Sequence, residues 1–216
     1  MNRAIKFYPN HKDGMHCSQA VFRSLFNYFF DEELSWQQID KITKTIQGKG
    51  AWTMAAHIEL SKRGIEIINI EPFDYERFCN EGLQYLKDNF DADTVQYYLE
   101  KSNLMDVVDD IPVFLKSVKH ETRKATIEDI DYFLQSGYLI GAEINSRVLN
   151  KKPGFSLHFV LVRSGSNRNY IINDPGGGSS PALENRIVSK EEFIEALGKE
   201  GSNGEVSAFR NRIFQP

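Results

Sequence analysis

The hydrophobic pattern divides the chain into a helical first part and a later part in which strands dominate. Between Cys17 and Phe30, Ala20, Val21, Leu25, Tyr28 and Phe29 recur at helical spacing with only Arg23 clearly charged, which predicts a mostly buried helix. It begins after the polar stretch ending at Gly14 and stops at Asp31-Glu32-Glu33. Ser35 stands as N-cap to a second helix, Trp36 to Ile46, in which Trp36, Ile39, Ile42 and Ile46 share a face. The turn Gly48-Lys49-Gly50 leads into a third, Ala51 to Arg63, with Gly64 where a C′ glycine belongs. The run Ile65 to Ile70 is short and β-branched, so it predicts a strand, closed by Pro72. From Asp74 to about Val118 the pattern is helical again, in pieces broken near Asp91-Ala92-Asp93 and at Ile111-Pro112.

Beyond residue 126 the character changes. Thr126 to Gln135 is expected to be a helix, with Thr126 as N-cap and Asp129 completing an acidic capping box. Strands are expected at Gly137 to Ile144, Ser156 to Arg163 and Asn169 to Asn173, the last two joined through Ser164–Arg168 in a hairpin. A helix from Lys190 to Leu197 and an edge strand from Glu205 to Phe209 follow. Helices first and antiparallel strands last mark an α+β fold. The expectation is one domain over residues 1–216, enlarged by a helical insertion at about 74–118.

Composition narrows the function classes. At 41% apolar and 26% charged residues, the 216-residue chain has ordinary globular usage and supports a packed core. Its 26 Lys+Arg against 30 Asp+Glu leave a net charge of −4, and no basic run interrupts that balance, which argues against a nucleic-acid partner. No stretch approaches the ~18 consecutive apolar residues of a membrane span, and the N-terminus has no signal-peptide pattern. A soluble, cytoplasmic protein without a membrane partner is expected. Its two cysteines, Cys17 and Cys79, are too few for a disulfide scaffold and read as free thiols. Oligomeric state is left open.

Cys17 opens the first helix, where backbone N–H groups and the helix dipole favour a thiolate. A buried cysteine is otherwise a small hydrophobe. His158 interrupts the apolar strand Leu157 to Val162, and Asp174 ends the next strand at Asn173-Asp174-Pro175-Gly176, so a tight hairpin brings carboxylate and imidazole together. Taken singly these are a core histidine and a turn aspartate. Taken with Cys17 they make a nucleophile, a base and an orienting acid in that chain order.

In Met15-His16-Cys17-Ser18-Gln19-Ala20-Val21, Ser136-Gly137-Tyr138-Leu139-Ile140, His158-Phe159-Val160-Leu161-Val162 and Ile172-Asn173-Asp174-Pro175, the chain resembles the papain-like cysteine peptidases, specifically the bacteriocin-leader (double-glycine) peptidase-like group. The resemblance spans nearly the whole chain except the helical block. It implies a papain-like α+β fold, with Cys17 on a central helix packed on an antiparallel sheet. It also implies hydrolysis of a peptide or an amide-containing small molecule through a thioester, with no cofactor and no metal. Ser18 replaces the family's usual glycine, and His11 stands where the family carries an oxyanion glutamine. His11 or Asn10, with the Cys17 N–H, is therefore expected to hold the oxyanion. Relatives sharing this triad include acyltransferases of the phytochelatin-synthase-like and antibiotic-biosynthesis types, and a catalytically inactive peptide-binding relative would keep the same fold.

Other features read more plainly. A zinc set of His11, His16 and Cys17 with His57 or His120 matches no metal signature. Gly176-Gly177-Gly178 lacks the Lys-Ser/Thr of a phosphate loop and reads as a mobile loop beside the site. His57, Trp36 and Trp52 are expected in the core, and Cys79 is a structural bystander.

Overall fold

The structure, a computed structural model, describes residues 4–177, 180–198 and 204–212. A seven-stranded sheet organises it: β1 (Ile65–Glu71), β2 (Lys119–Thr122), β3 (Leu139–Asn145), β4 (Leu157–Gly165), β5 (Asn169–Asp174), β6 (Leu183–Ser189) and β7 (Val206–Asn211). Their spatial order is β2-β1-β7-β3-β4-β5-β6, antiparallel except for the β1–β2 pair. The α+β architecture expected from the pattern is present.

Helices cover both faces. On one lie α1 (Cys17–Phe30), α3 (Met54–Lys62) and α7 (Ile111–Ser117), whose Phe22, Met54 and Phe114 share an apolar cluster with Leu139, Phe159, Leu161 and Phe209 of the sheet. On the other lie α8 (Ile127–Gln135), α9 (Ser146–Leu149) and α10 (Lys190–Gly198), packed on Ile140, Ile144, Val160 and Val162. The period-2 alternation along β3 and β4 sends successive residues to opposite cores. No helix among the described residues is long and apolar enough to cross a membrane.

Local chemistry sets the element ends. Ser35 and Gln38 form a reciprocal capping box at the start of α2 (Trp36–Thr43), and Thr126 with Asp129 does the same for α8. The second helix stops at Thr43 because Lys44 turns left-handed at φ 52°, short of the Ile46 that apolar spacing suggests. The block expected to be helical holds α4 (Tyr75–Glu81), α5 (Leu83–Asn89), α6 (Ala92–Gln96) and a π-helical turn at Tyr97–Lys101, followed by two short 3-10 turns and α7.

Two strands carry no readable signal. β2 is a four-residue strand, Lys-His-Glu-Thr, without apolar alternation, and β6 exposes most of its residues at the sheet margin. The expected edge strand at 205–209 is a correction of another kind: β7 is interior, paired with β1 on one side and β3 on the other. Buried on both faces through Val206, Ser207, Ala208 and Phe209, it closes the sheet with the far end of the sequence.

Candidate active site

Cys17 is the first residue of α1. His16, the N-cap, makes no side-chain capping bond, and the first turn holds no acid, so the positive end of the helix is left for an anion. Phe22 of α1 stacks on Phe159 of β4 at 6.0 Å between ring centroids and meets Phe209 edge-on at 6.3 Å. That ring contact fixes the helix start against the residue following His158. Cys17 and His158 are thus tied together through the core.

His158 Nε2 bonds Asp174 Oδ1 at 2.7 Å. With Nε2 engaged, the other ring nitrogen is left for the Cys17 thiol, which lines the same cavity. Burial alone would raise the Cys17 thiol, but the His158 hydrogen bond and charge, with the N–H groups of Phe159 and Ser18, hold it below the ordinary thiol value. Burial likewise penalises the His158 imidazolium, yet its bonds to Asp174 and Cys17 and their charges push it up to about 10. A thiolate–imidazolium pair is the state these neighbours favour. Cys79 contrasts with it: exposed on α4 rather than packed as a structural thiol, it is raised by desolvation alone.

Asp174 is anchored on both oxygens. Oδ1 also accepts from the Gly176 N–H at 3.0 Å, and Oδ2 accepts from Arg186 Nη1 at 2.8 Å. Arg186 reaches further, to Asn150 Oδ1 at 3.1 Å and to the Leu149 carbonyl. Desolvation of Asp174 is outweighed by His158, Gly176 and Arg186, so the carboxyl lies below its usual value. Sequence reasoning missed Arg186, because it sits on a strand without a pattern and meets Asp174 only through the β5–β6 register, where Ile172 faces Arg186.

The two expected oxyanion donors make other contacts in the structure. Asn10 Nδ2 donates to the carbonyls of Gly176 at 2.7 Å and Gly14 at 3.3 Å, while Oδ1 accepts from the His16 N–H at 2.9 Å. Its amide braces two loops and has no donor left. The His11 ring packs edge-on against His16 and Trp36, at 5.0 and 5.3 Å between centroids. Gly176 and Gly177 sit in a pinned turn that meets Asn10 and Ser180, and Gly178 lies outside the described residues.

Cys17 and His158 open into a cavity of about 390 Å³ walled by Trp52, Tyr97 and Phe159. Trp52 is thus a cavity residue as well as a core one, with its indole N–H on Ser102 Oγ at 3.1 Å. Glu71, Glu143 and Glu205, from three adjacent regions of the sheet, also line it. Glu205 accepts from Thr53 at 2.9 Å and Ser207 at 2.7 Å, and burial pushes it up to about 8. Glu71 accepts from Tyr75 at 2.8 Å and is raised by burial and by Glu205. His57, fully buried in the core as expected, is lowered to about 3 by burial and is neutral. No local pattern marks these acids, since strand pairing between distant segments assembles them.

No family model and no curated protein matches the chain. Among solved structures it is similar to the peptidase domain of Streptococcus ComA, a bi-functional ABC transporter involved in a quorum sensing pathway. That match has a TM-score of 0.49 and 17% identity over 95% of this chain and 98% of that one.

Proposed function

We propose that the protein is a cysteine-dependent amide hydrolase of papain-like type, with Cys17, His158 and Asp174 as its triad. The observation that carries this reading is that Cys17 and His158 line one cavity, with His158 bonded to Asp174 at 2.7 Å and Asp174 to Arg186 at 2.8 Å.

The Cys17 thiolate attacks the amide carbonyl carbon, and the carbonyl π electrons move to oxygen. The N–H groups at the start of α1 face the resulting oxyanion. As the C–N bond breaks, the His158 imidazolium gives its proton to the leaving amine, leaving a thioester on Cys17. Neutral His158 then takes a proton from water, which attacks the thioester and releases the carboxylic acid and the Cys17 thiolate. Asp174 keeps the ring oriented and stabilises its charged form throughout.

The test is acylation by a p-nitrophenyl ester. A stoichiometric burst of p-nitrophenolate and an acyl adduct mapped to Cys17 by intact mass and peptide mapping are expected. Acylation that proceeds equally fast in Cys17→Ala overturns the reading.

A further inference from the structure

Outside the cavity, three side chains of the segment before α1 converge. His11 Nδ1 lies 3.2 Å from Asp13 Oδ2, and His16 Nδ1 lies 2.9 Å from Asp13 Oδ1. One donor atom from each of the three residues falls within 4.8 Å of the others. The His16–Asp13 contact is a hydrogen bond in this structure, and the three ligand atoms are close enough together to surround one ion with bonds of ~2.0–2.1 Å after small side-chain shifts. His11 Nδ1 is also buried without a hydrogen-bond partner, although it faces the carboxylate. A shared ion would take up the lone pair of that nitrogen.

The surroundings have the form of a metal site's outer layer. His16 points its other nitrogen, Nε2, at Asp40 Oδ1 of α2, 3.3 Å away, and that oxygen too is buried with no hydrogen bond. A metal-bound imidazole characteristically directs its second nitrogen to a carboxylate. Asp13 and Asp40 together supply the two negative charges that balance a divalent ion. Trp36 closes the apolar side, with its ring centroid 5.3 Å from that of His11 and 5.6 Å from that of His16.

We propose that His11, Asp13 and His16 bind a divalent transition ion of the zinc class, with Asp40 as the outer partner of His16. Two imidazoles select such ions over calcium or magnesium, which take oxygen cages. The set differs from the His11–His16–Cys17 combination considered from sequence, because Cys17 turns to His158 and Asp13 takes its place. The ion sits beside the residue preceding Cys17 and clamps the entry of the chain into α1. This inference does not depend on the hydrolase reading.

The experiment uses the full chain, stripped with chelator and carrying Cys17→Ser so that the Cys17–His158 pair cannot capture metal. Calorimetric titration with Zn²⁺ is expected to show stoichiometric binding with a Kd of about 10 μM or tighter. His11→Ala and His16→Ala should each weaken it more than about tenfold, and Asp40→Asn by about tenfold. Ni²⁺ should quench Trp36 fluorescence in the parent but not in His16→Ala. Saturation absent up to about 100 μM Zn²⁺ overturns the proposal. So does binding that both histidine variants keep within about twofold, or Ca²⁺ binding as tightly as Zn²⁺ to the unaltered site, a comparison that needs no folded histidine variant.

Discussion

Arg186→Met isolates the contact that holds the Asp174 carboxylate. The Arg186 and Asp174 side chains are 15% and 3% exposed, so their 2.8 Å contact is largely shielded from water. At an effective dielectric of about 20 the gross attraction at that distance is about 6 kcal/mol, most of it offset by the desolvation of both groups. Breaking a buried pair costs about 3–5 kcal/mol when the remaining charge is stranded. Asp174 is not stranded, because His158 at 2.7 Å and the Gly176 N–H at 3.0 Å remain. The expected loss is therefore about 2–3 kcal/mol, or a Tm lowered by roughly 4–12 °C for a chain of this size. Arg186→Lys, which keeps one charge but not the fork to Asn150 and Leu149, should fall between. The pH dependence has a fixed sign. Asp174 is depressed below its usual 3.8 in the folded state, so its contribution is present above that pH and is lost as pH falls through the folded value. The gap between parent and Arg186→Met should accordingly close in acid. Differential scanning calorimetry from neutral pH downward measures it, and a Tm within about 1 °C of the parent at pH 7 would refute the reasoning.

Three further outcomes follow from the same geometry. Asp174→Asn keeps a hydrogen-bonding group beside His158 but removes its charge. It should lower the imidazolium pKa seen by NMR and slow Cys17 alkylation by about tenfold or more, and an unchanged titration would mean that Asp174 only fills space. Glu205 is raised to about 8 from an ordinary 4.5, so stability should be full below about pH 4.5 and decline as pH rises through 8. Glu205→Gln should flatten that decline in a series of urea melts, and a slope left intact would assign it to another group. A Cβ at Gly141 would come within 2.8 Å of the Phe159 ring. Gly141→Ala should destabilise by about 1–3 kcal/mol, read from the urea midpoint, and a neutral effect would show that the Phe159 ring yields freely.

The parts of this molecule that could be read from its sequence are those written in short-range pattern. Cys17 at a helix start, His158 breaking an apolar strand and Asp174 at a turn each leave a local trace, and the capping boxes at Ser35 and Thr126 do as well. What joins residues far apart leaves none. Arg186 reaches Asp174 through a strand whose outward residues are mostly exposed. Glu71, Glu143 and Glu205 meet only because β7 inserts between β1 and β3. The surroundings of the expected oxyanion residues are set at long range too. Asn10 lies next to His11, the expected point along the chain, and a carbonyl from Gly176, distant in sequence, claims its amide.

The central claim is that Cys17 is an activated thiol and His158 the cause. It is tested most directly by comparing iodoacetamide alkylation of Cys17 and Cys79 at about pH 6, in chelator, in the parent and in His158→Ala, with peptide mapping to separate the thiols. Cys17 should react the faster by more than about tenfold although Cys79 is the exposed residue, and His158→Ala should abolish that advantage while leaving Cys79 unchanged. Cys17 reacting no faster than Cys79, at a rate indifferent to His158→Ala, would contradict the account.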